Sequence, residues 1–260
     1  MDFQRARGRA PSPGGRCPGV LTAASTLSGP APARSIAQAN APSVAIGRPA
    51  APPLAYDSSR MPAEEVVLPF PGPRERIVPA DAFRSTWIVS SIQSLRSAGH
   101  FDRYAANLPE SHRQEILQTV AAVWLPMPVA RIHYEACDRL KLSVDDQIAL
   151  GSSVGERAQG TLLATAVRAA RGAGVTPWTI LPQFDRLYHR GNNGGAIAVF
   201  KIGPKDARVE AIGCELFDID YFRNAFRGVL LGIMALFTPR AYVHEVKRGR
   251  GEVTFHFQWV

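Results

Sequence analysis

From Asp81 to Arg190 apolar residues return every three to four positions, and beyond the turn residues Gly191 to Gly195 they return every second one. The first period predicts amphipathic helices and the second predicts half-buried strands. Asp81 is read as the cap of a helix reaching about Gly99, and Ser111 as the cap of HRQEILQTVAAV. Pro126 and Pro128 interrupt before VARIHYEACDRL, where Val129, Ile132, Ala136 and Leu140 form one apolar stripe. Ser143 caps the next helix, which ends at Gly172 and Gly174, and Thr176 followed by Pro177 opens WTILPQFDRLYHR.

After the glycine turn, AIAVFKI and RVEAI read as a hairpin joined through Gly203 to Asp206. A helix follows with a stripe of Phe222, Phe226, Val229, Ile233 and Phe237, in which Gly228 and Gly232 are expected to let the helix approach the sheet. Pro239 stops it, and AYVHEVK and EVTFHFQW close the chain as two strands. With Gly249 and Arg250 as a two-residue type II′ loop, Lys247 would face Glu252, and Tyr242, His244 and Val246 would share the buried face of Val253, Phe255 and Phe257. In that register His244 and His256 lie on opposite faces. The expected fold is α+β: a helical N-terminal half, then a strand-strand-helix-strand-strand unit with an antiparallel sheet of about four strands.

Composition divides the chain unevenly. Residues 1–80 hold 14 of the 21 prolines, with many Ala, Gly and Ser, and read as a disordered tail ahead of one domain at 81–260. Residues 1–60 contribute +5 of the net +8, so the basic balance belongs mostly to that tail and gives no sign of a nucleic-acid-binding face. Pro18, Gly19 and Thr22 break what would be the apolar part of a leader. Three widely spaced cysteines, Cys17, Cys137 and Cys214, fit free thiols in a reducing, cytoplasmic setting. GVLLGIMALF, the longest apolar run, is too short to span a membrane.

The run GVTPWTILPQFDRLYHR, the glycine turn, GPKDARVEAIGCELFDIDYFRNAFRGVL and a last strand ending in Trp resemble a paralogous family of soluble bacterial proteins. That family is similar to the superfamily of haem nitric-oxide-binding domains, four-vinyl-reductase domains and small Golgi-tethering subunits. The resemblance covers about residues 83 to 260 and implies the α+β fold and a sensory or protein-interaction role. Four-vinyl-reductase domains place cysteines in and after the last hairpin, where this chain has Lys247 to Glu252. Tyr56, Ser58 and Arg60 spell the Tyr-x-Ser-x-Arg clamp of haem sensors, but they stand in the proline-rich tail ahead of every plausible ligand. The resemblance therefore implies no cofactor.

Among residues that tempt a chemical reading, GSSVG at 151–155 matches a hydrolase elbow, yet Ser153 sits in a helical pattern with no strand before it. A helix break or close helix packing at the glycines is the better account. His133 and Cys137 are spaced i,i+4 and are weak candidate metal ligands without a third partner, so a core histidine and a buried thiol are expected. His100, His112 and His189 stand near helix ends, and Asp145 and Asp146 complement a helix dipole. No enzyme is expected. A binder of an apolar small molecule should keep an apolar pocket between helices and sheet lined by Trp178, Phe200 and Phe226. A protein-interaction module, such as a homodimer, should fill that space and expose an apolar patch.

Overall fold

The structure, a computed structural model, describes residues 64–159 and 174–260. It is α+β. In chain order the elements are β1 (Glu65–Leu68), β2 (Ala82–Arg84), α1 (Ser85–Ser97), α2 (Phe101–Asn107), α3 (Glu110–Leu117), β3 (Trp124–Pro126), α4 (Met127–Asp138) and α5 (Val144–Gln159). Then come α6 (Pro177–Ile180), α7 (Phe184–His189), β4 (Asn192–Asn193), β5 (Ala196–Gly203), β6 (Asp206–Ile212), α8 (Asp220–Met234), β7 (Ala241–Gly249) and β8 (Glu252–Trp259).

Two antiparallel sheets result. The larger has the order β1-β5-β6-β8-β7, and β3-β2-β4 form a small one. The fifth strand of the large sheet comes from the segment read as tail, so order begins ahead of Asp81. The apolar run Val66 to Leu68 satisfies the backbone edge that β5 would otherwise leave open, and ion pairs from Glu64 to Arg208 and from Glu65 to Lys201 hold it there. At the opposite edge the Arg227 guanidinium donates to the Val243 carbonyl of β7.

Helix starts follow the sequence only in part. Ser143 accepts the Asp146 amide at 3.1 Å, and Thr176 with Thr179 completes a capping box. Asp81 caps no helix: α1 starts at Ser85, and the Asp81 carboxylate instead accepts from the Asn193 amide across the small sheet. Pro109, not Ser111, precedes α3.

The last hairpin departs from the expected pairing. Gly249 pairs with Glu252, which leaves Arg250 and Gly251 as the turn, with Gly251 at φ +63°. A bulge between Glu245 and Lys247 then sets Val243 opposite Phe257 and His244 opposite His256. Because side chains alternate, this slip turns β7 over: Val243 is buried, while Tyr242 and Val246 are exposed. His244 and His256 therefore share the outer face. Lys247 faces Thr254, and the partner of Glu252 is Arg74.

The core lies between the inner sheet face and the helices. Phe255 meets Phe226 of α8, Phe257 meets Phe184 of α7, and Trp259 meets Trp178 of α6, each as an aromatic pair. Among the described residues no helix is long and apolar enough to cross a membrane.

Candidate functional site: an apolar cavity between the helices

The helix pair α5 and α8 is spaced by glycine. A Cβ at Gly151 would overlap the Ala225 carbonyl oxygen, and one at Gly228 would overlap that of Ile148. The glycines of α8 thus serve the contact with α5 rather than an approach to the sheet. GSSVG belongs to this crossing, since the Ser152 hydroxyl donates to the Gly228 carbonyl and Ser153 Oγ lies 2.7 Å from Ser94 Oγ of α1. Ser153 also donates to Leu150 of its own helix, as mid-helix serines do. Nothing around it resembles a nucleophile elbow.

Where α5 and α8 diverge from α1 and α7, a cavity of about 520 Å³ opens. Val154, Phe226, Ile233, Phe184 and Leu187 form much of its wall, and Ile197 of β5 forms the sheet side. Its volume lies within the ordinary range for small-molecule pockets. The polar side chains that reach it include Ser91, Tyr134, Tyr221 and Asn192, with the exposed Arg190 at its margin. The stripe from Phe222 on α8 to Phe237, just past its end, faces this space.

Of the three residues expected to line such a pocket, Phe226 does so. Trp178 instead packs on Trp259 and donates its indole N–H to the Pro204 carbonyl at 2.8 Å. Phe200 lies on the other face of β5, under the Arg208 guanidinium. Period-two alternation already separates Phe200 from Ile197 and Val199; the parity of the strand was the available signal. For Ser91 the signal was the cluster of serines in STWIVSSIQSLRS, of which Ser85, Ser90, Ser91 and Ser94 are buried. Buried serines on an otherwise apolar helix face must find partners.

Behind the wall, His133 is fully buried. Its Nδ1 is 2.6 Å from the Tyr104 hydroxyl, its Nε2 is 3.2 Å from Ser91 Oγ, and Cys137 Sγ lies 3.8 Å from the same Nε2. Burial lowers the His133 pKa to about 3, which keeps the ring neutral, and raises the Cys137 thiol. Tyr104, Tyr134 and Tyr221 are likewise pushed up by burial. Cys214, under β4, is pushed up to about 12 by the same cause. These thiols are placed as inert core groups. Among the described residues no group of three or more His, Cys, Asp or Glu side chains is arranged to hold a metal ion.

No protein-family model matches the chain, and no curated protein matches it. Among solved structures, an H-NOX domain of T. Tengcongensis is similar at 14% identity, covering 68% of this chain and 97% of that one, with a TM-score of 0.49. A Cs H-NOX domain covers the same share at 14% identity and 0.49, with 96% of its own length matched. An oxygen-binding H-NOX domain related to soluble guanylate cyclases matches at 14% identity and 0.47, over 68% of this chain and 94% of its own. The Tyr56, Ser58 and Arg60 pattern lies outside the described residues.

Proposed function

We propose that the chain is a non-enzymatic, cytoplasmic sensory module that binds a neutral, mostly apolar small molecule between its helices and its sheet. The observation that carries this reading is the cavity of about 520 Å³ with its apolar wall. Filling such a space with side chains is the ordinary outcome of folding, because a void forfeits dispersion contacts on every face that lines it. A cavity this large is better accounted for by an occupant.

Haem, which the nitric-oxide-binding branch of the resembled superfamily carries, does not fit these residues. All six histidines are among the described residues, and none lines the cavity. Both ring nitrogens of His133 already face protein partners. The lining tyrosines are held protonated by burial, and among the described residues Arg190 is the single cationic residue of the lining, against two propionates. The occupant in this reading is an organic molecule without metal.

Native mass spectrometry of the purified full chain under gentle conditions tests this. The expected result is a non-covalent adduct that solvent extraction recovers as a neutral compound, with no haem absorption band. Val154→Phe, which fills the cavity, should lose the adduct and melt higher than the extracted parent. A second reading draws on the exposed run Val120 to Trp124, where Val120 is 65% and Trp124 43% exposed beside the edge strand β3. No adduct, no response to apolar compounds and a dimer that Trp124→Ser dissociates would replace the sensory reading with a protein-interaction module.

A further inference from the structure

Part of the polar lining of the cavity comes from the buried cluster behind it, and the protons of that cluster can be placed. Tyr104 is fully buried, and its hydroxyl has His133 Nδ1 as its hydrogen-bond partner. If Nδ1 carried the imidazole proton, the Tyr104 O–H would be left without an acceptor in a dry interior, a loss comparable to a full desolvation penalty. The tyrosine therefore donates to Nδ1, and the neutral ring carries its proton on Nε2. That N–H points at Ser91 Oγ, 3.2 Å away. Having accepted there, Ser91 has its own hydrogen to give. Ser91 gives it to the Tyr221 oxygen, and Tyr221 in turn gives its own to the Cys137 sulfur, which is a weak acceptor. The order of donors thus runs from Tyr104 through His133 and Ser91 toward the cavity and reaches it one good acceptor short. Ser91 and Tyr221 both line that wall.

From this geometry we infer that the cavity selects neutral ligands that carry a hydrogen-bond acceptor, such as a ketone, ester or amide carbonyl, which takes the O–H presented at Ser91 and Tyr221. This inference rests on the proposed ligand-binding function and specifies its chemistry. It also assigns His133 and Tyr104 as positioning residues: they orient the Ser91 donor and touch no ligand.

Benzophenone and gem-diphenylethylene, in which C=CH2 replaces C=O, have nearly the same shape and differ in the acceptor. Titration calorimetry of both against the full chain, Ser91→Ala and Tyr221→Phe gives a ratio of affinities for each protein. The expected result is that the ketone-to-alkene ratio falls about tenfold in at least one variant, the worth of one hydrogen bond, while affinity for the alkene stays within about twofold. Using the ratio within each protein removes the difference in hydrophobicity between the probes. Two variants guard against a fold defect in either one. Binding of both probes with an unchanged ratio in both variants would overturn the acceptor preference and leave the cavity's role standing. Binding of neither probe to the parent chain would overturn the sensory reading itself.

Discussion

His133 shows what a single buried group contributes and when it is lost. Burial lowers its pKa from 6.5 to about 3, so as pH falls the unfolded chain takes up a proton before the folded one does. The stability tied to the neutral ring is complete above about pH 6.5 and declines as pH approaches 3. By pH 5 the loss is about 2 kcal/mol. Urea unfolding at pH 7 and pH 5 of the parent and of His133→Asn measures it: the variant, less stable at pH 7, should lose about 2 kcal/mol less than the parent between the two. Parallel losses would mean that the ring is hydrated or charged in the folded state. With no third ligand in the sequence and an apolar stripe beside them, His133 and Cys137 already read as core groups. Tyr104 and Ser91, from two other helices, could not be read as its partners, because hydrogen bonds between elements leave no trace in local spacing.

Between elements, the α5 and α8 crossing depends on two glycines and tolerates change at a third. Gly151→Ala or Gly228→Ala would drive a methyl into a facing backbone carbonyl, which cannot move without shifting a helix. The expected cost is about 3 kcal/mol or more, read from urea midpoints. At Gly232 the nearest atom to an added Cβ is the Ser152 carbonyl oxygen at 3.4 Å, an ordinary contact. Gly232→Ala should therefore raise stability by about 0.5 to 1 kcal/mol through helix propensity alone. Equal effects at all three positions would mean that the helices are not this close. The sequence pattern located both glycine pairs and both helices but assigned the α8 glycines to the sheet rather than to α5, since a small residue marks a close approach without naming what approaches. The last hairpin was harder to read for a different reason. Gly249 and Gly251 offer two turns one residue apart, and the bulge near Val246 has no sequence signature strong enough to decide between them.

For the whole molecule, the order of helices followed by strand, strand, helix, strand, strand was legible because each period persists over many residues. The cavity was legible only on the α8 side, as the stripe from Phe222 to Phe237, since empty space has no residues of its own. The strand β1 was hidden by composition: a proline-rich segment contains a short apolar run that makes sense only once the β5 edge exists. That edge supplies the final test. A chain beginning at Pro62 retains β1 with its ion pairs to Arg208 and Lys201, and also Arg74, which bridges Glu210 and Glu252 over the outer sheet face. A chain beginning at Asp81 lacks all of these and uncovers the N–H and C=O groups of β5. Surface ion pairs are worth little singly, so most of the loss should come from the strand pairing and the side chains Val67 and Leu68, which pack on the core. The shorter chain should melt roughly 5 to 10 °C lower, the shift that about 2 to 3 kcal/mol produces in a domain of this size. Its open edge should also drive self-association that rises with concentration in light scattering. Matching melting temperatures and a monomeric short chain would show that β1 is an accessory strand and that the domain is complete from Asp81.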